Sequence, residues 1–214
     1  MTNAKARLPM TARALMVAVL ALALSACGER SAGPAPGPAP APAPAFKSTD
    51  ISAVEWGRDF HLLDHHGNSR SIADFKGKVV LLFFGYTHCP DLCPTTMADM
   101  ARAVASMGPD GARVQGLFAT VDPQRDTQQV LAKYVTAFDP SFLGLYGDEA
   151  TTAALAREFK FFHGTEPGHS HDNYSVTHGG SIYVYDPQGR LRLLMGPGWT
   201  VDTMLADVRL LLKE

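Results

Sequence analysis

Two cysteines carry the most concentrated chemistry in this 214-residue chain: Cys89 and Cys93, within the run Gly-Tyr-Thr-His-Cys-Pro-Asp-Leu-Cys-Pro at 85–94. If a helix begins near Cys89, residues four apart share one of its faces, with Cβ atoms about 5–6 Å from each other. A helix N-terminus offers unpaired N–H groups and the positive end of the backbone dipole. The expectation is therefore that both sulfurs are pulled toward thiolate and made stronger nucleophiles and ligands. A thiolate pair in that position has two uses, exchange with a disulfide or capture of a soft metal ion.

The elements that must hold the pair follow from the hydrophobic pattern. Residues 79–84, Val-Val-Leu-Leu-Phe-Phe, have the length and composition of a strand buried on both faces. A helix over 95–107 follows, with Met97, Met100, Ala101 and Val104 at helical spacing. Its methionines are read as core filler and not as metal ligands. Residues 114–121 form a second buried strand, ending in Asp122-Pro-Gln-Arg125-Asp126-Thr127. Thr127 or Asp126 caps a helix over 128–138, and Asp122 with Arg125 forms an ion pair fixing the loop at the strand's end. Open parallel sheets carry their sites at such ends.

Upstream, 59–64 and 69–73 read as a hairpin whose turn holds His65 and His66 as solvated residues. Downstream come a short segment at 143–145, a helix at 149–159 and an edge strand at 160–163. A polar loop then runs from His163 to His178, and a hairpin of 181–186 with 190–195 precedes a last amphipathic helix at 201–212. The expected fold is α/β, a thioredoxin-like three-layer domain with an added N-terminal hairpin.

Before the domain, Lys5, Arg7 and Arg13 precede an apolar run at 14–24, too short for the roughly 20 residues of a membrane-spanning helix. Leu24-Ser-Ala-Cys27 resembles the lipobox of bacterial lipoproteins. Residues 1–27 are thus expected to be a lipoprotein signal peptide ending at the lipid-bearing Cys27, which leaves Cys89 and Cys93 as a pair. Residues 28–45 are a Pro/Ala-rich linker whose stretch 31–45 is extended as polyproline II, reaching on the order of 45 Å. Residues 46–214 are the folded domain, of ordinary size for a single core. A net charge of −2, with no basic block beyond the N-terminus, argues against a nucleic-acid partner.

Two details separate redox exchange from metal binding. The cysteines are spaced C-x-x-x-C, one residue longer than the thioredoxin motif. Thioredoxin-like oxidoreductases also carry a cis-proline just before the first hairpin strand, whereas Val176-Thr-His178-Gly-Gly contains no proline. On that topology the His178 imidazole takes the place beside the sulfurs. Two thiolates and an imidazole suit Cu(I) and, with an added ligand, Cu(II), while a closed structural zinc site wants a fourth protein ligand. His163, His169 and His171 form a secondary candidate cluster for copper entry, against a plainly solvated loop. His88 is expected to point away from the ligand face.

The segments Gly-Tyr-Thr-His-Cys-Pro-Asp-Leu-Cys-Pro-Thr-Thr, Val-Asp-Pro-Gln-Arg-Asp-Thr and Tyr-Ser-Val-Thr-His, followed by Tyr-Val-Tyr-Asp-Pro-Gln-Gly, resemble those of the Sco/SenC family in order and spacing. The resemblance covers essentially all of 46–214. It implies a thioredoxin-like fold, copper held by Cys89, Cys93 and His178, and a role in assembling the binuclear copper site of cytochrome c oxidase. Implied partners are the copper-bearing oxidase subunit and other copper chaperones, on the periplasmic face of a bacterial envelope. The family usually has Asp before the histidine where this chain has Thr177, so Asp122 is the acid expected to support the metal from outside the ligand set. The rival expectation is a thiol-disulfide oxidoreductase that keeps the oxidase cysteines reduced, with Cys89 as attacking thiol and a Cys89–Cys93 disulfide in its cycle.

Overall fold

The computed structural model describes residues 45–170 and 173–214. The signal-peptide and linker expectations, with Cys27 and His171, lie outside the described residues. His163, His169 and His178 are described by their strand positions alone.

The centre of the fold is β4 (Val79–Gly85), every residue of which is buried, paired in parallel with the equally buried β5 (Val114–Thr120). Two unbroken apolar runs of this kind have no solvated face, so each must lie inside a sheet covered on both sides. β6 (Leu143–Tyr146) extends the parallel run beyond β5. On the other side of β4 lies antiparallel β9 (Ile182–Tyr185), followed by β10 (Leu191–Met195) and the short edge strand β1 (Thr49–Asp50). The N-terminal hairpin, β2 (Leu62–Asp64) with β3 (Ser69–Arg70), joins the opposite edge through β6, completing an eight-stranded mixed sheet. Helix α1 (Leu92–Ala105) packs against α4 (Val201–Leu211), and α2 (Gln128–Thr136) lies on β6, where Gly144 lets Leu131 approach closely. Helix α3 (Glu149–Glu158) follows β6. The thioredoxin-like α/β fold with an added N-terminal hairpin is what the strand and helix order anticipated.

Three local expectations change. Helix α1 starts at Leu92, three residues before the expected start at 95, because Pro94 falls in its first turn, where no amide donor is required. Cys93 is therefore helical and Cys89 lies in the turn ahead of it. The segment from His163 to His178 is a hairpin and not a loop: β7 (His163–Ser170) pairs with β8 (Asn173–His178) in a two-stranded sheet of its own. Its register slips between Glu166 and Ser170, around Pro167 and Gly168, the residues that read as loop formers.

His65, finally, is buried and not solvated, at 7% exposure. The β2–β3 turn folds back on β6, and His65 Nδ1 accepts the Gly144 N–H at 3.0 Å, extending the ladder with a ring nitrogen. Burial and the neighbouring His66 hold its pKa below the usual 6.5, as an acceptor nitrogen requires.

Candidate metal centre

The parallel register pairs Gly85 with Thr120, so β4 and β5 end side by side, and the Val121 N–H donates to the Gly85 carbonyl at 2.8 Å. The cysteine loop (86–91) and the loop after β5 (121–127) therefore leave the sheet together. Beneath them lies Asp126, 1% exposed, with both oxygens engaged. Oδ1 accepts the Thr87 hydroxyl at 2.5 Å, and Oδ2 accepts the Thr87 amide at 3.0 Å and the Thr120 hydroxyl at 2.6 Å. Burial raises the Asp126 pKa and nearby Asp122 adds to that, while the threonine donors oppose it. His88, half exposed, turns toward this acid, its Nδ1 3.8 Å from Asp126 Oδ1 and 3.2 Å from the Thr87 hydroxyl. Of the two caps expected for α2, Thr127 or Asp126, Thr127 is the one, accepting the Val130 amide at 3.3 Å.

The two cysteines differ in environment: Cys89 is partly exposed and Cys93 fully buried. The Cys93 amide, in the first turn of α1, points at Cys89 Sγ from 3.4 Å. Cys93 Sγ sits against β4, so close that a Cβ at Gly85 would lie 2.8 Å from it and 2.8 Å from the Phe118 ring. Only glycine fits there. Burial pushes the Cys93 thiol well up, against the pull of the Tyr86 backbone, and the Cys89 sulfur and Asp126 add to the rise. The expectation that the helix dipole lowers both thiols fails at Cys93, because desolvation of a fully enclosed sulfur outweighs the field of one helix end.

His178 is the last residue of β8, opposite His163 across the hairpin. Two glycines and Ser181 separate it from β9, whose Ile182 pairs with Phe83, two residues before the end of β4. The topology thus returns the backbone after His178 to the strand end that launches the cysteine loop. Leu92 bridges the two segments, since a Cβ at Gly180 would meet its side chain at 3.1 Å. β8 is also tied directly: the Tyr86 hydroxyl hydrogen-bonds the Val176 backbone.

Asp122, 3% exposed, pairs with Arg125 as the sequence suggested, Nε to Oδ2 at 2.5 Å. Its other oxygen accepts the Tyr174 hydroxyl at 2.6 Å. Burial and that hydrogen bond push the Tyr174 hydroxyl up to about 12, so it remains a donor near neutral pH. Among the described residues no three His, Cys, Asp or Glu side chains are grouped to hold a metal. Tyr86, Tyr174 and Asp126 are the site's neighbours that sequence reasoning missed. All three had a signal in their position within the quoted segments; what had none is the pairing of Tyr174 with Asp122, made across 52 residues.

A sequence profile for SCO1/SenC proteins matches residues 48–213. The chain belongs to the SCO1/SenC family. Human "Protein SCO2 homolog, mitochondrial" is 40% identical to this SCO1/SenC chain over 153 residues, 71% of the chain and 58% of the human protein, so the match spans less than two thirds of that relative. The copper-bound structure of Bradyrhizobium japonicum ScoI is 34% identical, with a TM-score of 0.65 over 71% of this chain and 96% of that one. The solution structure of apo Sco1 from Thermus thermophilus is 37% identical, with a TM-score of 0.70 over 78% and 97%.

Proposed function

We propose that this SCO1/SenC chain is a membrane-tethered copper chaperone. It binds copper, its cargo, through the thiolates of Cys89 and Cys93 and the imidazole of His178. It delivers the ion by ligand exchange to the binuclear copper site of cytochrome c oxidase. The observation that carries the reading is the convergence of the two cysteines with the strand that ends in His178, both at the carboxyl end of β4. Two soft donors and one borderline donor suit Cu(I), and an additional ligand would accommodate Cu(II). The copper-bound relative at 34% identity supports the choice of metal. The oxidase as recipient rests on the family resemblance of the cysteine, aspartate and histidine segments.

Residues 1–27 are the signal segment, cut before Cys27 so that this cysteine carries the lipid, and residues 28–45 hold the domain away from the periplasmic face of the membrane. Asp122 supports the metal from outside the ligand set, and the thiols must be reduced for loading. The second reading, a thiol-disulfide reductase acting on the oxidase cysteines, is favoured by one observation. A partly exposed Cys89 beside a buried Cys93 has the arrangement of an attacking and a resolving thiol.

Anaerobic competition titration of the reduced full chain with Cu(I) tests the first reading. It predicts one tightly bound equivalent and a marked loss in His178→Ala; equal binding by that variant refutes the ligand set. A disulfide-exchange assay alongside tests the second, and rates no faster than a small thiol remove it.

A further inference from the structure

Copper affinity and release depend on where β8 holds its last residue, and β8 has no place in the eight-stranded sheet. Among the described residues it pairs with β7 alone, in the separate two-stranded ribbon, and no backbone ladder joins it to β4 or β9. Among the described residues, its anchors to the rest of the domain fall on positions 174 and 176. The Tyr174 hydroxyl donates to Asp122 Oδ1 at 2.6 Å, and Arg125 Nη1 donates to the Tyr174 carbonyl at 3.0 Å. The same guanidinium stacks 3.5 Å from the centre of the Tyr174 ring while its Nε holds Asp122. Val176 is 4% exposed, and its backbone meets the Tyr86 hydroxyl in the cysteine loop.

Positions 174, 176 and 178 follow one another in the two-residue period of a strand. The next position along the anchored row is the histidine's. Beyond it, Gly179 and Gly180 add no side-chain bulk before β9 begins. The strand position of His178 is therefore set from behind by the tyrosine clamp and from ahead by the β9 pairing.

We propose that Tyr174, held by Asp122 and Arg125, is a positioning residue for copper binding: it fixes the register and depth at which β8 presents His178 to the cysteine loop. This rests on the proposed ligand set. It goes beyond it by giving the Asp122–Arg125 pair a specific task, gripping the histidine strand through one aromatic side chain. The clamp is also the point at which that strand is freed for ligand exchange. Arg125 and Asp122 sit on the loop after β5, and Tyr86 on the loop after β4, so both loops of the site share the hold. Residues that orient a ligand without touching the metal change affinity by about 10- to 100-fold when removed.

The test is a double-mutant cycle on the full chain, read by Cu(I) competition titration and by the rate of copper transfer to a chelator. Tyr174→Phe, which keeps the ring and removes the hydroxyl, is expected to weaken Cu(I) binding about tenfold and to speed release. In the His178→Ala background the same change is expected to have no further effect, because the tyrosine acts only through the histidine. Should Tyr174→Phe fold poorly, Asp122→Asn, which spares the ring, is expected to give the same pattern. Undiminished affinity in the single variant, or an equal loss with and without His178, overturns the proposal. Equal copper binding by wild type and His178→Ala overturns the ligand set instead, so the two failures are distinguishable.

Discussion

A methyl group at Gly85 is the smallest change that strikes the site from within the core. Its Cβ would lie 2.8 Å from Cys93 Sγ and 2.8 Å from Phe118 Cε2, closer than a carbon can approach either. Neither neighbour can retreat into solvent, since both are 0% exposed. Overpacking of this kind costs about 1–3 kcal/mol, which for a domain of this size lowers the melting temperature by about 2–12 °C. The flexible atom of the two is the sulfur, so relief comes chiefly from displacing Cys93 Sγ, and Gly85→Ala should also lose about tenfold in Cu(I) affinity, or 1.4 kcal/mol.

Gly116→Ala is the control. Its Cβ would press on Phe142 at 2.5 Å with no site residue among its three nearest contacts, so it should destabilise comparably and leave copper binding unchanged. Urea denaturation of the apo proteins and Cu(I) competition on the reduced proteins measure the two quantities. The reasoning is refuted if Gly85→Ala retains wild-type affinity, or if Gly116→Ala loses as much.

Two further outcomes follow from buried ionisable groups. Asp64 is 0% exposed; burial pushes its carboxyl up, but the Asn68 and His66 amides and Arg70 outweigh this and hold it at about 2, against 3.8 for a free side chain. A carboxylate depressed on folding stabilises fully above its unfolded pKa and loses that contribution as pH falls through the folded value, here about 2 kcal/mol. The stability gap between wild type and Asp64→Asn should therefore shrink as pH falls from about 4 to about 2, read from urea midpoints; a constant gap contradicts it. At Cys93 the raised thiol pKa means that copper must displace a proton at neutral pH. Apparent Cu(I) affinity should rise by at least about tenfold per pH unit between about pH 6 and 8, the Cys93 proton alone accounting for that factor, and a flat profile would show that the thiol is already ionised.

The parts of this molecule that sequence made legible are those with local causes. β4 and β5 announced themselves as unbroken apolar runs, and α2 by its threonine cap. The family segments drew attention to both cysteines, to Asp122 and to His178 before any contact was known. What stayed hidden depends on partners distant in the chain. His65 reads as a turn residue until β6 covers it, because only the Gly144 amide gives its ring nitrogen a buried role. β7 contains Gly164, Pro167 and Gly168, which argue locally for a loop; it becomes a strand only by pairing with β8. The high pKa of Cys93 was invisible for the same reason. Helix position is local and favours thiolate, whereas the enclosure that reverses it comes from β4 and the rings around it.

Two sulfurs and one imidazole around the copper leave a distinct signature in X-ray absorption of the Cu(I)-loaded full chain, wild type beside His178→Ala. Two sulfur scatterers and one nitrogen are expected in the wild type, with the nitrogen lost in the variant. A wild-type spectrum without nitrogen, or a nitrogen that survives the loss of His178, would contradict that ligand set.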